Sequence, residues 1–237
     1  MTLGNHDGLI MNKDREDAIT PIINALNLPD LHLIKYSESF ELADKFHFSN
    51  FSCFDEEGWK NLDISKDKVN IALYHGAVKG SLTDIDWELD GEVDISIFDE
   101  YDFVFLGDIH KRQYLDKDKR VAYCGSTIQQ NYGETPDKGF LIWEIESADK
   151  YSSKHVKVKH DRPFVTIDWQ GDVTATIDAA DQYPDYAKYR VRTTVPISQG
   201  EIKQLYSSLK EFKFASEIVM KHDSISREQL PDSFSDD

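Results

Sequence analysis

Cysteine is scarce in this sequence: Cys53 and Cys124 are the two in 237 residues, far apart and without Cys-x-x-Cys spacing. That excludes a disulfide-stapled scaffold and a thiolate zinc ribbon, and it fits a reduced, cytoplasmic setting. Long hydrophobic runs are missing as well. No stretch of about 18 apolar residues occurs, so no membrane span is expected. The opening residues, Met1-Thr2-Leu3-Gly4-Asn5-His6-Asp7, have neither the basic region nor the apolar run of a signal peptide. Positive charge is short: 27 Lys and Arg face 44 Asp and Glu, a formal net charge of −17. Affinity for a polyanion rests largely on Lys and Arg. The chain therefore either has no nucleic-acid role or meets DNA through divalent cations, a local basic patch and a partner protein. What is present is ordinary globular composition, 40% hydrophobic and 12% aromatic, enough for one large domain or a domain with a small appendage.

Ala18, Ile19, Ile22, Ile23 and Leu26 recur at three- and four-residue spacing and predict a helix over Asp14–Leu26. Pro21 interrupts that pattern: either Thr20 caps a shorter helix that starts with proline, or the helix is kinked. Leu31–Tyr36, Phe40–Leu42 and Phe46–Phe51 read as strands of a meander. Val69–Tyr74 and Phe103–Leu106 are almost wholly apolar, the pattern of strands buried on both faces. His75-Gly76 follows the first and Gly107-Asp108-Ile109-His110 the second, the place where layered α/β folds build sites. Val121–Tyr123 and Phe140–Ile145 complete the predicted sheet.

From about Ser147 the character changes. Lys154–Lys159 and Phe164–Trp169 read as strands, Val173–Tyr183 as a helix and Tyr189–Val195 as a strand. Ser198–Phe212 is an amphipathic helix whose Ser198 and Glu201 form a capping box, and Ala215–Lys221 is a last strand. The sequence thus predicts a layered α/β domain over residues 1–147, a small α+β unit over 148–222 and a flexible acidic tail over 223–237.

Three short motifs carry candidate chemistry. Asn5 and His6 offer a carbonyl oxygen and an imidazole; His75 ends a buried strand; Asp108 and His110 point to one side of extended chain. Taken singly, these read as a polar turn, a satisfied histidine and a helix-capping aspartate. Their order, each after a buried strand, gives a mixed oxygen and nitrogen donor set. Such a set suits Mn²⁺, Fe²⁺ or Zn²⁺ in a two-metal hydrolase better than Ca²⁺ or a thiolate zinc site. Lys111, Arg112, Lys154, Lys157, Lys159, His160 and Arg162 form a basic stretch that either tracks phosphate or is a solvated face.

The series Gly4-Asn5-His6-Asp7, strand-end His75 and Gly107-Asp108-Ile109-His110 resembles the last three of five ordered motifs in calcineurin-like metallophosphoesterases. Within them, Tyr123–Thr127, Gly125–Asn131, Asn131–Glu134, Lys138-Gly139-Phe140 and Arg162-Pro163-Phe164 are similar to the SbcD-type DNA-repair nucleases, the phage-encoded ones above all. The likeness spans roughly residues 3–222. It implies a metallophosphoesterase β-sandwich flanked by helices, with a DNA-facing capping domain. The implied activity is an exonuclease-endonuclease, a homodimer working with an SbcC-type ATPase on two divalent ions, Mn²⁺ foremost. Carried over, Asn5, His75 and Asp108 would hold one ion and His110 the other. His6 would serve as acid/base at the scissile phosphate, and Asp7 would orient His6. Lys111, Arg112, Lys157, Lys159 and Arg162 would contact DNA.

Two departures matter. Asp108 stands where the family has histidine, which implies an altered metal preference. The family's Asp-x-His and Gly-Asp motifs precede Gly-Asn-His, whereas here that motif begins at Gly4. Asp30-Leu31-His32 matches by letter but in the wrong order, a coincidence. The expectation is a site that binds one metal weakly and has little nuclease activity. A phosphomonoesterase of the same superfamily and a non-catalytic assembly or DNA-end-binding subunit are the alternatives.

Overall fold

A computed structural model of the chain describes residues 1–12, 15–91 and 93–223. Asp14 of the predicted helix and the tail from residue 224 lie outside the described residues. The architecture is mixed α/β, with several sheets and few helices. The chain divides into two compact units, Met1–Thr127 with Asp137–Val158, and Ile128–Pro136 with Lys159–Asp237.

The first unit is built on a six-stranded sheet. Its strands are β1 (Glu38–Leu42), β2 (Phe46–Phe51), β3 (Val69–His75), β4 (Phe103–Gly107), β5 (Gln113–Tyr114) and β6 (Val121–Tyr123), in the order β1-β2-β3-β4-β6-β5. β2, β3, β4 and β6 run parallel, and β1 and β5 close the edges antiparallel. The continuous apolar runs of β3 and β4 require cover on both faces, and both faces have it. Val69, Ile71 and Phe103 point to one side, where the hairpin β7 (Gly139–Ser147) and β8 (Lys150–Lys157) lies over them. The ring of Phe103, fully buried, sits 5.8 Å from Trp143 and 4.8 Å from Tyr151. Ala72, Val104, Leu106 and Tyr123 point to the other side and meet Phe51, Val78, Val93 and Phe98.

Three expectations change here. Phe140–Ile145 does not complete the sheet: as β7 it pairs only with β8 among the described strands. Leu141, Trp143 and Ile145 alternate with exposed Phe140, Ile142 and Glu144, so the hairpin lays one face on the sheet instead of joining its edge. The boundary, expected near residues 147–162, lies beyond the turn of that hairpin. Strand pairing keeps β8 in the first unit, which runs to Val158, while Ile128–Pro136 groups with the second. Leu31–Tyr36 forms no strand; Ile34 makes a single parallel bridge to Thr2.

The helix, finally, is short: α1 spans Thr20–Leu26 with Pro21 in its first turn and buries none of its residues. Thr20 does not cap it. Asp17 accepts hydrogen bonds from the Ile19 and Thr20 amides at 3.0 and 2.6 Å and pairs with Lys35 at 2.9 Å. Burial pushes the Asp17 carboxyl up, yet these bonds win and hold it well below the usual carboxylate range.

The second unit runs β9 (Phe164–Asp168), α2 (Val173–Ala180), β10 (Lys188–Thr193), α3 (Gln199–Phe212) and β11 (Glu217–His222). Its strands are all parallel in the order β11-β10-β9, so this is a βαβαβ unit. Val165, Ile167, Tyr189, Val191, Leu205 and Leu209 form its core. Asp172 caps α2 through the Ala175 amide, and Ser198 and Glu201 make the capping box read from the sequence.

Candidate functional site

β3 and β4 end in register, with His75 opposite Gly107. The turn after β4 therefore delivers Asp108 beside His75, with Oδ1 3.7 Å from Nε2. Glycine is required on both sides of the imidazole. A Cβ on Gly107 would lie 2.7 Å from His75 Nδ1, and one on Gly4 would lie 2.6 Å from Cε1 and Nε2. Asp108 itself adopts φ 87°, a left-handed conformation that non-glycine residues hold only when their surroundings force it.

Leu3 is buried and anchors the loop that follows it. Asp7 N donates to Gly4 O at 3.0 Å and Gly4 N donates to Asp7 Oδ2 at 2.7 Å, closing a tight turn. That turn aims Asn5 inward and leaves His6 exposed. Asn5 Nδ2 donates to Asp108 Oδ1 at 3.1 Å. Its Oδ1 is buried without a hydrogen-bond partner among the described residues. A buried acceptor left bare is expensive. The Asn5 amide meets the Asp108 carboxylate, which lies beside the His75 imidazole, and amide, carboxylate and imidazole are together the donor chemistry of a divalent cation site.

The electrostatics agree with that reading. Burial pushes the His75 imidazole below the ordinary histidine range; Asp108 and Asp7 oppose this, and His6 and His110 reinforce it. A neutral ring is the form that ligates a metal. Cys53, two residues beyond β2, is also close: burial first, then the charges of Asp108 and Asp7, push its thiol up. Tyr123, at the end of β6, donates to Gly76 O at 2.7 Å and accepts from Val78 N at 2.8 Å, pinning the loop after His75. Burial pushes its phenol up to about 12.

The remaining predicted residues are placed differently. His110 lies near enough to bear on His75, and its main-chain carbonyl accepts from Ser126 N at 3.2 Å and Lys138 Nζ at 2.9 Å. Gly125, at φ 77°, backs the same turn: a Cβ there would sit 3.0 Å from His110 O and Arg112 N. Asp7 accepts from the Gly4 amide through Oδ2 and so fixes the turn that carries His6. Lys111 pairs with Asp86, Arg112 with Asp137 at 3.2 Å and Lys157 with Asp137 at 3.8 Å. These three cations are therefore partly neutralised in place. Lys159 and Arg162 are exposed in the second unit.

Among the described residues, no group of three or more His, Cys, Asp or Glu side chains is arranged to hold a metal. The side chains brought together are His75, Asp108 and Asn5, and these are the residues that could hold one cation. Donors for a second ion around His110 are not gathered among the described residues. Tyr123 and Lys138 lie in segments that carried the family likeness, but sequence reading assigned no part in the site to them or to Cys53.

No known protein-family profile matches this sequence. The chain is similar to an uncharacterized protein of Acanthamoeba polyphaga mimivirus, 36% identical over 177 residues. That match covers 69% of this chain and about 13% of the length of the viral protein. No described helix is long and apolar enough to cross a membrane.

Proposed function

We propose that this chain carries a divalent-cation-dependent phosphodiesterase site of the calcineurin-like, SbcD type, directed at DNA and working with an SbcC-type ATPase. The observation that carries this reading is the buried, unpartnered Asn5 Oδ1 beside Asp108 and His75, at the ends of two in-register parallel strands. Asn5, His75 and Asp108 would hold the ion, Mn²⁺ foremost. When bound, it supplies Lewis-acid stabilisation of the phosphoryl oxygens and acidifies a water for attack.

The chain's own groups do the rest. Burial keeps His75 neutral, so its lone pair is available at neutral pH. Asp7 locks the turn from which exposed His6 reaches the substrate side, where its imidazole moves a proton to the departing oxygen. His110 stands on the same turn as Asp108, ready for a second ion if further carboxylate donors are supplied from outside the described residues. In this reading the SbcD-type capping domain corresponds to the βαβαβ unit, and the complete protein pairs with a second copy.

One observation favours a phosphomonoesterase of the same chemistry: Lys111, Arg112 and Lys157 are held by Asp86 and Asp137, which weakens any grip on a long polyanion. Hydrolysis of linear DNA and of nucleotide monoesters with Mn²⁺, for the wild type, Asn5→Ala and His6→Ala, separates the readings. DNA cleavage lost in both variants supports the nuclease. Preference for monoesters sinks it, and Mn²⁺ binding without hydrolysis of either substrate assigns the chain to an assembly role.

A further inference from the structure

The turn that carries Asp108 and His110 is held from beneath by a buried ion pair that no motif announced. Lys138 is 3% exposed, and its ammonium donates to Asp84 Oδ2 at 3.0 Å, to Asp84 Oδ1 at 3.2 Å and to the His110 carbonyl at 2.9 Å. The Asp84 side chain is itself 9% exposed. Asp84 lies on a loop anchored to the same turn from the other side. The Gln113 side chain accepts from Leu82 N at 2.9 Å and donates to Leu82 O at 2.8 Å, directly after Arg112.

A buried pair of this kind is a poor source of stability, because desolvating two charges offsets most of their attraction. Replacing both partners by apolar residues of similar size is commonly neutral. Its worth lies in geometry. The ammonium fixes the His110 carbonyl and with it the His110–Lys111 peptide plane, the end of the turn that begins at Asp108. A left-handed aspartate at φ 87° persists only where the surroundings over-determine it.

We propose that Asp84 and Lys138 are positioning residues for the metal-binding turn, setting the direction in which Asp108 and His110 present their side chains. The inference rests on the cation site proposed above, and its test is read separately from that site. Mn²⁺ binding by titration calorimetry is compared for the wild type, Lys138→Met, Lys138→Arg and the double variant Asp84→Leu with Lys138→Met, with circular dichroism and urea melts on each. The double variant removes both charges of the pair together.

The expected result is that the double variant keeps the wild-type melt and loses roughly ten- to a hundredfold in Mn²⁺ affinity, while Lys138→Arg keeps most of it. A double variant that folds and binds Mn²⁺ like the wild type overturns the proposal. If the wild type binds no Mn²⁺, the cation site fails and a metal-free readout decides on the pair. In protein with ¹³C-labelled histidine, and with His110→Gln for assignment, the His110 ring signals move in the double variant and return in Lys138→Arg. Unchanged His110 signals overturn the positioning role even then.

Discussion

At the ends of β9, β10 and β11, charged side chains settle one another. Arg192 meets Asp168 at 2.6 Å and Asp223 at 3.9 Å, and Lys221 meets Asp223 at 3.0 Å. The backbone is satisfied as well: Trp169 N donates to Arg192 O and Asp223 N to Thr193 O, at 2.8 and 2.9 Å. At the ends of β3 and β4 the strands are also parallel and in register, but the polar groups do not settle. Asn5 keeps a bare buried oxygen, His75 is held below its ordinary pKa, and Asp108 sits in a left-handed conformation. The same strand-end geometry serves closure in one unit and, in the proposed function, an open donor set in the other. Parallel strand ends offer a place for a site; convergent unsatisfied groups, held by a frame that tolerates strain, make one.

That contrast can be broken or sharpened by substitution. The largest effects belong to the shared framework and should be alike in both units. Phe103→Ala, under Trp143 and Tyr151, is expected to cost about 3–5 kcal/mol, and Leu205→Ala in the second unit about 2–5 kcal/mol, in urea denaturation. Next, helix ends and strand ends should part company. Ser198→Ala removes the capping box of α3 and is expected to lose about 1 kcal/mol. Asp108→Gly releases the left-handed backbone and is expected to gain about 1 kcal/mol, while abolishing Mn²⁺ binding. If Asp108→Gly destabilises the protein, the strain has been misread.

A smaller effect follows from His75. Its pKa lies below the ordinary value of about 6.5, so on acidification the unfolded chain takes up the proton before the folded one does. Its contribution to stability is complete above about pH 6.5 and is lost as the pH falls toward the folded value. Urea midpoints measured from about pH 7.5 downward should decline through that window and flatten in His75→Gln. A profile identical in the two proteins would show that His75 is not the group responsible. The smallest effect is at the closed strand ends, where Asp168→Asn should leave both the midpoint and Mn²⁺ binding unmoved, since Arg192 and Asp168 are both about half exposed.

How far the sequence foretold this depends on whether a signal was local. The apolar runs of β3 and β4 and the Ser198–Glu201 box depend on neighbouring residues, and they appear in the structure where they were read. Asn5, His75 and Asp108 were legible because each follows a buried strand or a short apolar start, and the fold brings them together. The lay of β7 and β8 across a sheet face was not legible, because alternating Leu141, Trp143 and Ile145 fit an edge strand and a covering hairpin equally well. Leu31–Tyr36 has strand composition, yet apart from the Thr2–Ile34 bridge it pairs with nothing among the described residues. Lys138 and Asp84 lie 54 residues apart, and a buried ion pair leaves no spacing to read. The ion pairs of the basic stretch were not legible for the same reason: Asp86 and Asp137, which hold Lys111, Arg112 and Lys157, come from elsewhere in the sequence.

The central claim is that Asn5, His75 and Asp108 form a divalent cation site, and Mn²⁺ titration of the wild type beside Asn5→Ala tests it most directly. The account predicts saturable binding of one ion by the wild type and loss of at least about tenfold in affinity in Asn5→Ala with an unchanged melt. Equal binding by both proteins, or none by the wild type, would contradict it.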